Sequence, residues 1–126
     1  MNTNLTKKTI LIVDDDTNIV NLLKSFVAPL GHEIATAADG MEGLQLARTL
    51  RPNLILLDVM LPKLDGYKIS RFLKFDEDYK MIPIVMLTAK SDEHDEIIGM
   101  QTGADAYCTK PFTRSNIIDL INKHII

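Results

Sequence analysis

The sequence lacks the features that mark secreted and membrane proteins. Its single cysteine, Cys108, cannot form a disulfide within the chain. The apolar run at residues 10–13 follows Lys7 and Lys8 but ends in three aspartates. It is too short for the core of a signal peptide and far shorter than the ~20 residues of a membrane-spanning helix. The sequence therefore predicts a cytoplasmic protein without a membrane segment.

Clusters of basic residues are also missing. The net charge is -3 over 126 residues, and lysine and arginine form no stripe, so the sequence predicts no direct binding to nucleic acid. Neither an internal repeat nor a linker-like stretch divides the chain, and its length suits one domain. We expect residues 1–8 to form a flexible polar tail and residues 9–126 to form the domain.

Short apolar runs alternate with helical patterns along the chain. The runs lack the polar alternation of a half-exposed strand, which favours strands covered on both faces, as in parallel sheets. The second and fifth runs are weaker candidates than the others. The predicted strands are 10–13, 33–37, 54–57, 84–87 and 106–109.

Apolar residues at helical spacing lie between these runs. The first helix begins at a cap formed by Asp16 or Thr17 and ends at Gly31. The second ends before the Arg51-Pro52 pair, and residues 92–102 are predicted to be helical mainly on composition. The apolar faces of the other four helices comprise Ile19, Leu22, Leu23, Phe26, Val27 and Leu30, then Met41, Leu44, Ala47 and Leu50, then Ile69, Phe72 and Leu73, and finally Ile117, Leu120, Ile121 and Ile125.

Five strands that alternate with five helices predict an α/β domain with a five-stranded parallel sheet and helices on both faces. Right-handed crossovers leave few arrangements, and the strand order 2-1-3-4-5 is a common one. In such sheets ligands bind outside the carboxyl ends of the strands, where the winding reverses. At this edge the sequence places Asp14, Asp15, Asp58, Thr88 and Lys110.

The chemistry of these side chains suits phosphoryl transfer. Strands 1 and 3 are neighbours in this order, about 4.8 Å apart, so Asp58 is expected close to Asp14 and Asp15. Three crowded carboxylates repel one another, and Mg²⁺ or Mn²⁺ would relieve the repulsion while leaving places for water and phosphate oxygens. The Asp58 carboxylate can attack phosphorus, while Thr88 and Lys110 can donate hydrogen bonds to the phosphoryl oxygens.

Four segments, taken in order, resemble the receiver domains of two-component response regulators, which are CheY-like and have a flavodoxin-like fold. The segments are ILIVDDD at 10–16, LDVMLPKLDG at 57–66, MLTA at 86–89 and TGADAYCTKPF at 102–112. The resemblance covers nearly the whole chain. It implies that a sensor histidine kinase or a histidine phosphotransfer protein phosphorylates Asp58. It also implies that Asp15, Asp58 and the Met60 carbonyl bind the metal directly, and that Asp14 binds it through water.

The resemblance further implies a switch. Thr88, Ala89 and Lys110 would contact the phosphoryl group, and Tyr107 would turn inward as Thr88 moves. These shifts would change the surface formed by the fourth predicted helix, the fifth strand and the fifth helix. A downstream protein or an output domain would bind to that surface. A dimer that forms on phosphorylation is a further possibility that the resemblance implies.

Two further expectations follow from the same resemblance. Met60 and Lys90 flank the route to the phosphorylated aspartate, so we expect them to tune the lifetime of the aspartyl phosphate. The Lys110-Pro111 peptide bond is expected to be cis, which is uncommon even before proline.

The main alternative is a phosphatase of the haloacid-dehalogenase type, with Asp14 as its nucleophile. Against it, Asn18 stands where that family has Thr or Val, and no acidic pair follows a strand after Lys110. A calcium loop also fails, because Ile19 and Ser25 occupy the positions that require Gly and Glu. A stand-alone receiver and the receiver of a larger regulator both remain open.

Overall fold

The computed structural model describes residues 7–88 and 103–126, and over them it confirms the alternation of strands and helices. The second and fifth strands have the predicted bounds, and the other three are one residue longer than predicted. The strands are β1 (Thr9–Val13), β2 (Glu33–Ala37), β3 (Leu54–Asp58), β4 (Ile84–Thr88) and β5 (Ala106–Thr109).

Within residues 7–88 and 103–126, four helices connect and follow these strands: α1 (Thr17–Val27), α2 (Gly40–Leu50), α3 (Gly66–Lys74) and α4 (Arg114–His124). The last of these, α4, is the fifth helix predicted from the sequence. The predicted helix at 92–102 lies outside the described residues, and so do Ala89, Lys90 and most of the predicted tail. Within the described part of the chain, no helix is long and apolar enough to cross a membrane.

The strands form one parallel sheet in the predicted order, β2-β1-β3-β4-β5. Every residue of β3 and of β4 is buried, which confirms that these strands are covered on both faces. In the register between β1 and β3, Val13 lies opposite Leu57. The residues that follow this pair, Asp14 and Asp58, therefore emerge side by side at the carboxyl edge of the sheet.

Two apolar cores, one on each face of the sheet, hold the strands in place. Ile10 and Ile12 point to the core that contains Ile117 of α4, whereas Leu11 and Val13 point to the opposite core. Burial of each such side chain stabilises the fold by roughly 1.5–3 kcal/mol. Because both cores are filled, the sheet is a rigid platform for the side chains at its edge.

The structure corrects several details of the predicted helices. The first helix changes to a 3-10 turn over Ala28–Leu30, because Pro29 has no N–H to continue the α-helical pattern. Asp16, not Thr17, is its cap, and Gly31 ends the turn at a φ of 84°. Some residues that the sequence assigned to the apolar helix faces are exposed, because the buried strip of each helix is narrower than the strip of apolar residues in its sequence. They are Leu22, Met41, Leu50 and Phe72.

Candidate functional site

Three aspartates meet where β1 and β3 end. Carboxylate oxygens of Asp14, Asp15 and Asp58 all lie within 4.8 Å of one another. Asp14 is 1% exposed and Asp58 is 5% exposed, whereas Asp15 is open to solvent. The structure therefore brings together the three acidic residues that the sequence predicted to be neighbours.

The backbone around Asp14 holds its carboxylate in place. The Asp14 N–H donates to the Ala37 carbonyl at 3.1 Å, and Asp14 Oδ1 accepts from the Asp16 N–H at 2.9 Å. The Asp16 carboxylate in turn caps α1 by accepting from the N–H groups of Asn18 and Ile19. Asp16 thus serves the helix, as an N-cap does, and Asp14 faces the site.

Lys110 supplies the positive charge of the site. Its ammonium Nζ lies 3.2 Å from Asp58 Oδ1 and 3.4 Å from Asp14 Oδ2. The Lys110 N–H donates to the Thr88 carbonyl at 2.6 Å, which ties the end of β5 to the end of β4. The Lys110-Pro111 bond is cis, as expected. One lysine therefore reaches both buried carboxylates.

The pKa values show how these charges balance. Burial raises the pKa of Asp58, and repulsion from Asp14 raises it further, while Lys110 and the Met60 N–H lower it by less. Burial alone would lower the pKa of Lys110, but attraction to Asp58 and Asp14 outweighs burial and raises it. Lys110 thus remains charged but does not fully compensate the acids. A net negative charge at a buried edge suits a site for a further cation.

Of the remaining predicted residues that the structure describes, Thr88 and Met60 lie at this edge and Tyr107 lies within β5, opposite Met86. Thr88 ends β4, is 5% exposed, and lies opposite Thr109 of β5. Met60 is 74% exposed two residues after Asp58, so its side chain is free to face an approaching partner. Tyr107 of β5 is partly buried and packs against the core on the α2 and α3 side of the sheet.

The donor set fits a hard divalent cation. Asp14, Asp15 and Asp58 offer carboxylate oxygens, the ligands that Mg²⁺ and Mn²⁺ prefer. The described residues place no histidine or cysteine in this acidic group, which argues against a zinc site.

Comparison with known proteins gives the family. The model of the response regulator receiver domain matches residues 10–122. This chain belongs to that family. It is therefore a signalling domain of two-component systems rather than a conventional enzyme, and the match gives no support to the phosphatase alternative.

Three similar proteins illustrate the range of the family. The alkaline phosphatase synthesis transcriptional regulatory protein PhoP of Bacillus subtilis is 49% identical over 84% of this chain and 43% of its own length. The chemotaxis protein CheY4 of Vibrio cholerae has a TM-score of 0.88 at 28% identity, covering 95% of this chain and 100% of that chain. The receiver domain of the sensor histidine kinase PA1611 of Pseudomonas aeruginosa, with a magnesium ion in its active-site cleft, has a TM-score of 0.86 at 29% identity, covering 94% and 98%.

These relatives bear on the expected partners. The chain spans less than half the length of the curated relatives it matches. Several of them are named transcriptional regulators, so their names do not support the expectation of no direct binding to nucleic acid. That expectation came from the charge of this chain alone.

Proposed function

We propose that Asp58 accepts a phosphoryl group from a histidine kinase or a histidine phosphotransfer protein, and that the reaction requires Mg²⁺ or Mn²⁺. The observation that supports this most directly is the position of the Asp58 carboxylate. It is buried at the end of a strand, within 4.8 Å of two other acids and 3.2 Å from the Lys110 ammonium. Asp15, Asp58 and the Met60 carbonyl would hold the metal directly, and Asp14 would hold it through water.

Each residue has a chemical task in this proposal. A carboxylate oxygen of Asp58 attacks the phosphorus of a phosphohistidine, the P–N bond breaks, and the imidazole leaves as the phosphoryl group moves to Asp58. A divalent cation held by Asp15, Asp58 and the Met60 carbonyl would supply positive charge to offset the charge on the transferred group and on the carboxylate. Lys110 turns one N–H from Asp58 to a phosphoryl oxygen. Water then attacks the phosphorus of the acyl phosphate, the bond from Asp58 to phosphorus breaks, and inorganic phosphate leaves as the carboxylate is restored. The domain thus catalyses both its own phosphorylation and its own dephosphorylation.

Phosphorylation would then switch the domain. Thr88, Ala89 and Lys110 contact the phosphoryl oxygens, and two or three such charge-assisted hydrogen bonds contribute roughly 1.5–3 kcal/mol each. Moving a two-state equilibrium from about 1:99 to 99:1 takes ~5.5 kcal/mol, so these bonds are about sufficient. Tyr107 fills the space that Thr88 leaves, and the altered surface includes β5, α4 and the segment at 92–102.

The proposed partners follow from that surface. A downstream protein or an output domain reads it, either directly or through a dimer that forms on phosphorylation. We assign the receiver domain to residues 9–126 and locate it in the cytoplasm. Met60 and Lys90 set the lifetime of the aspartyl phosphate, and dephosphorylation of Met60→Ala at the wild-type rate would contradict this for Met60.

The test is phosphorylation by a small donor. Incubation with acetyl phosphate and Mg²⁺ should add the mass of one phosphoryl group, and peptide mapping should place it on Asp58. EDTA should prevent the addition, and Asp58→Asn should not be modified. Phosphate on Asp14 would support the phosphatase alternative instead, and a wild-type protein that neither binds Mg²⁺ nor accepts phosphate or beryllofluoride would refute the proposal.

The switch needs a separate measurement. Thr88→Ala should still accept phosphate on Asp58 but should lose the change in partner binding or in oligomeric state that phosphate causes in the wild type. If Thr88→Ala keeps the full response, the coupling through Thr88 is wrong even though the phosphorylation site is right.

A further inference from the structure

The first turn of α2 lies between the two chain segments that carry the acids. On one side, the Gly40 N–H donates to the Pro62 carbonyl at 3.1 Å, in the loop that follows Asp58. Lys63 of the same loop pairs with Asp39, the cap of α2, at 3.5 Å. Residues that take no part in the chemistry thus connect a helix to the loop that contains Met60.

The helix and the loop approach each other most closely at Gly40. A Cβ atom at Gly40 would lie 1.7 Å from the Leu64 carbonyl oxygen and 2.6 Å from its carbonyl carbon. Real Cβ atoms essentially never approach backbone atoms within 3.0 Å, so any other residue must push the loop and the helix apart. The position of the loop therefore depends on the absence of a side chain at Gly40.

The same turn also presses on the strand that leads to Asp14. A Cβ atom at Gly43 would lie 2.7 Å from Cγ1 of Val13, and Val13 directly precedes Asp14. The Asp14 N–H is bonded to the Ala37 carbonyl, just before the start of α2. One helical turn thus lies against the backbone of the loop after Asp58 and against the Val13 side chain before Asp14.

Two hydrogen bonds from backbone N–H groups to side-chain carboxylates fix where α2 begins. Asp39 Oδ1 accepts from the Glu42 N–H at 2.8 Å, and Glu42 Oε1 accepts from the Ala38 N–H at 2.9 Å. Asp39 thus caps the helix, and Glu42 accepts from the residue before the cap rather than from the cap itself, as it would in a capping box; the two bonds still satisfy backbone donors at the helix start. The turn is therefore anchored and can act as a spacer.

We propose that the first turn of α2 is a positioning element for the metal site, and that Gly40 sets the distance between the loop with Met60 and the carboxylate of Asp14. The proposal rests on the proposed function, since it concerns the same Mg²⁺ site. Mg²⁺ requires nearly ideal octahedral geometry, so a small displacement of the loop weakens binding. Gly40 is a positioning residue, because it touches no ligand.

The experiment compares two Gly→Ala variants in the full chain. Gly40→Ala should raise the Kd for Mg²⁺, measured by calorimetry, by about 10- to 100-fold, the range found when supporting residues around a metal are changed. Gly31→Ala is the matched control. It strains a residue whose φ is +84° but has open space around the new Cβ, so it should lower stability and leave the Kd for Mg²⁺ within about twofold.

A measurement on the wild type covers the case in which Gly40→Ala does not fold. Coupling between two sites is reciprocal, so Mg²⁺ must stabilise the contact between Gly40 and the loop. Hydrogen exchange of the Gly40 amide should slow on saturation with Mg²⁺ by at least about 10-fold more than that of the Ile117 amide in α4.

The outcomes separate this inference from the proposed function. If the wild type binds no Mg²⁺, the proposed metal site is wrong and the inference falls with it. If the wild type binds Mg²⁺ but Gly40→Ala has the wild-type Kd, or the Gly40 amide gains no extra protection, the metal site stands and the positioning role of α2 is refuted.

Discussion

Replacing Asp58 by asparagine is expected to stabilise the metal-free protein. Asp58 is 5% exposed, and its carboxylate lies within 4.8 Å of those of Asp14 and Asp15. Burial and Asp14 raise the pKa of Asp58 more than Lys110 lowers it, so the charged carboxylate destabilises the folded state. Asparagine keeps the shape of the side chain and removes the charge.

The size of this effect follows from the distances. At an effective dielectric constant of about 20, repulsion between two unit charges at 4.8 Å is ~3.5 kcal/mol. Attraction at the 3.2 Å between Lys110 Nζ and Asp58 Oδ1 is ~5 kcal/mol on the same basis. Removing the carboxylate from water costs several kcal/mol more. Repulsion and desolvation together therefore exceed the attraction to Lys110 by about 1–2 kcal/mol. Asp58→Asn is expected to raise the free energy of unfolding by this amount.

The pH dependence has a definite sign. The folded-state pKa of Asp58 is raised above its unfolded value, so the destabilisation by its charge is fully present above the folded pKa. It disappears as the pH falls through the folded pKa towards the unfolded one. The stability advantage of Asp58→Asn over the wild type should therefore shrink as the pH is lowered.

Urea unfolding in EDTA at neutral pH is the assay. Asp78→Asn is the matched control, because Asp78 is exposed and its replacement should change stability by less than about 0.5 kcal/mol. Addition of Mg²⁺ at about 100 times its Kd should stabilise the wild type by ~2.7 kcal/mol and Asp58→Asn by much less. If Asp58→Asn is less stable than the wild type in EDTA, the argument from crowded charge is wrong.

Three further variants test other parts of the structure. Lys110→Met removes the ammonium between Asp14 and Asp58, so urea unfolding in EDTA should show a free energy of unfolding lower by about 2–3 kcal/mol. Mg²⁺ should restore part of this loss. A variant as stable as the wild type would contradict the role given to Lys110. Asp105→Ala removes the acceptor of the Ile84 N–H at 2.8 Å and of Lys74 Nζ at 2.9 Å, and urea unfolding should show a loss of about 1–3 kcal/mol that Asp119→Ala, at an exposed position, does not share. Lys63→Gly relieves a φ of 70° at the expense of a largely exposed ion pair, and thermal unfolding should show a gain of about 0.5 kcal/mol; a loss would mean that the ion pair outweighs the strain.

The sequence predicted most of the fold because its signals were local. Strands β3 and β4 are buried on both faces, so their runs of apolar residues are unbroken. The outcome at the first helix shows the limit of such patterns. Its apolar periodicity continues to Leu30, but the α-helix ends at Val27 because Pro29 cannot donate a hydrogen bond. Similarly, Phe72 lies at helical spacing from Ile69 but is 51% exposed. Periodicity alone does not show how much of the helix surface its neighbours cover.

The candidate site was predictable for a different reason. Parallel strands have their carboxyl ends at one edge of the sheet, so the strand order brings together Asp14, Asp58, Thr88 and Lys110 from distant parts of the sequence. The order itself was a choice among a few right-handed topologies. The sequence pattern could not predict the direction in which the pKa of Asp58 shifts, because that pKa depends on burial and on the distances to Asp14 and Lys110.

The contacts of α2 lie beyond the reach of sequence patterns altogether. In the sequence, Gly40 follows a residue that can cap a helix, so its position indicates only that a helix starts there. Its importance comes from the Leu64 carbonyl, which a Cβ at Gly40 would approach to 1.7 Å. No periodicity or spacing relates these two positions, because they meet only through the α2 crossover, which carries the chain from β2 past β1 to β3. A residue that shapes a site without supplying an atom to it becomes visible only when the backbones are seen together.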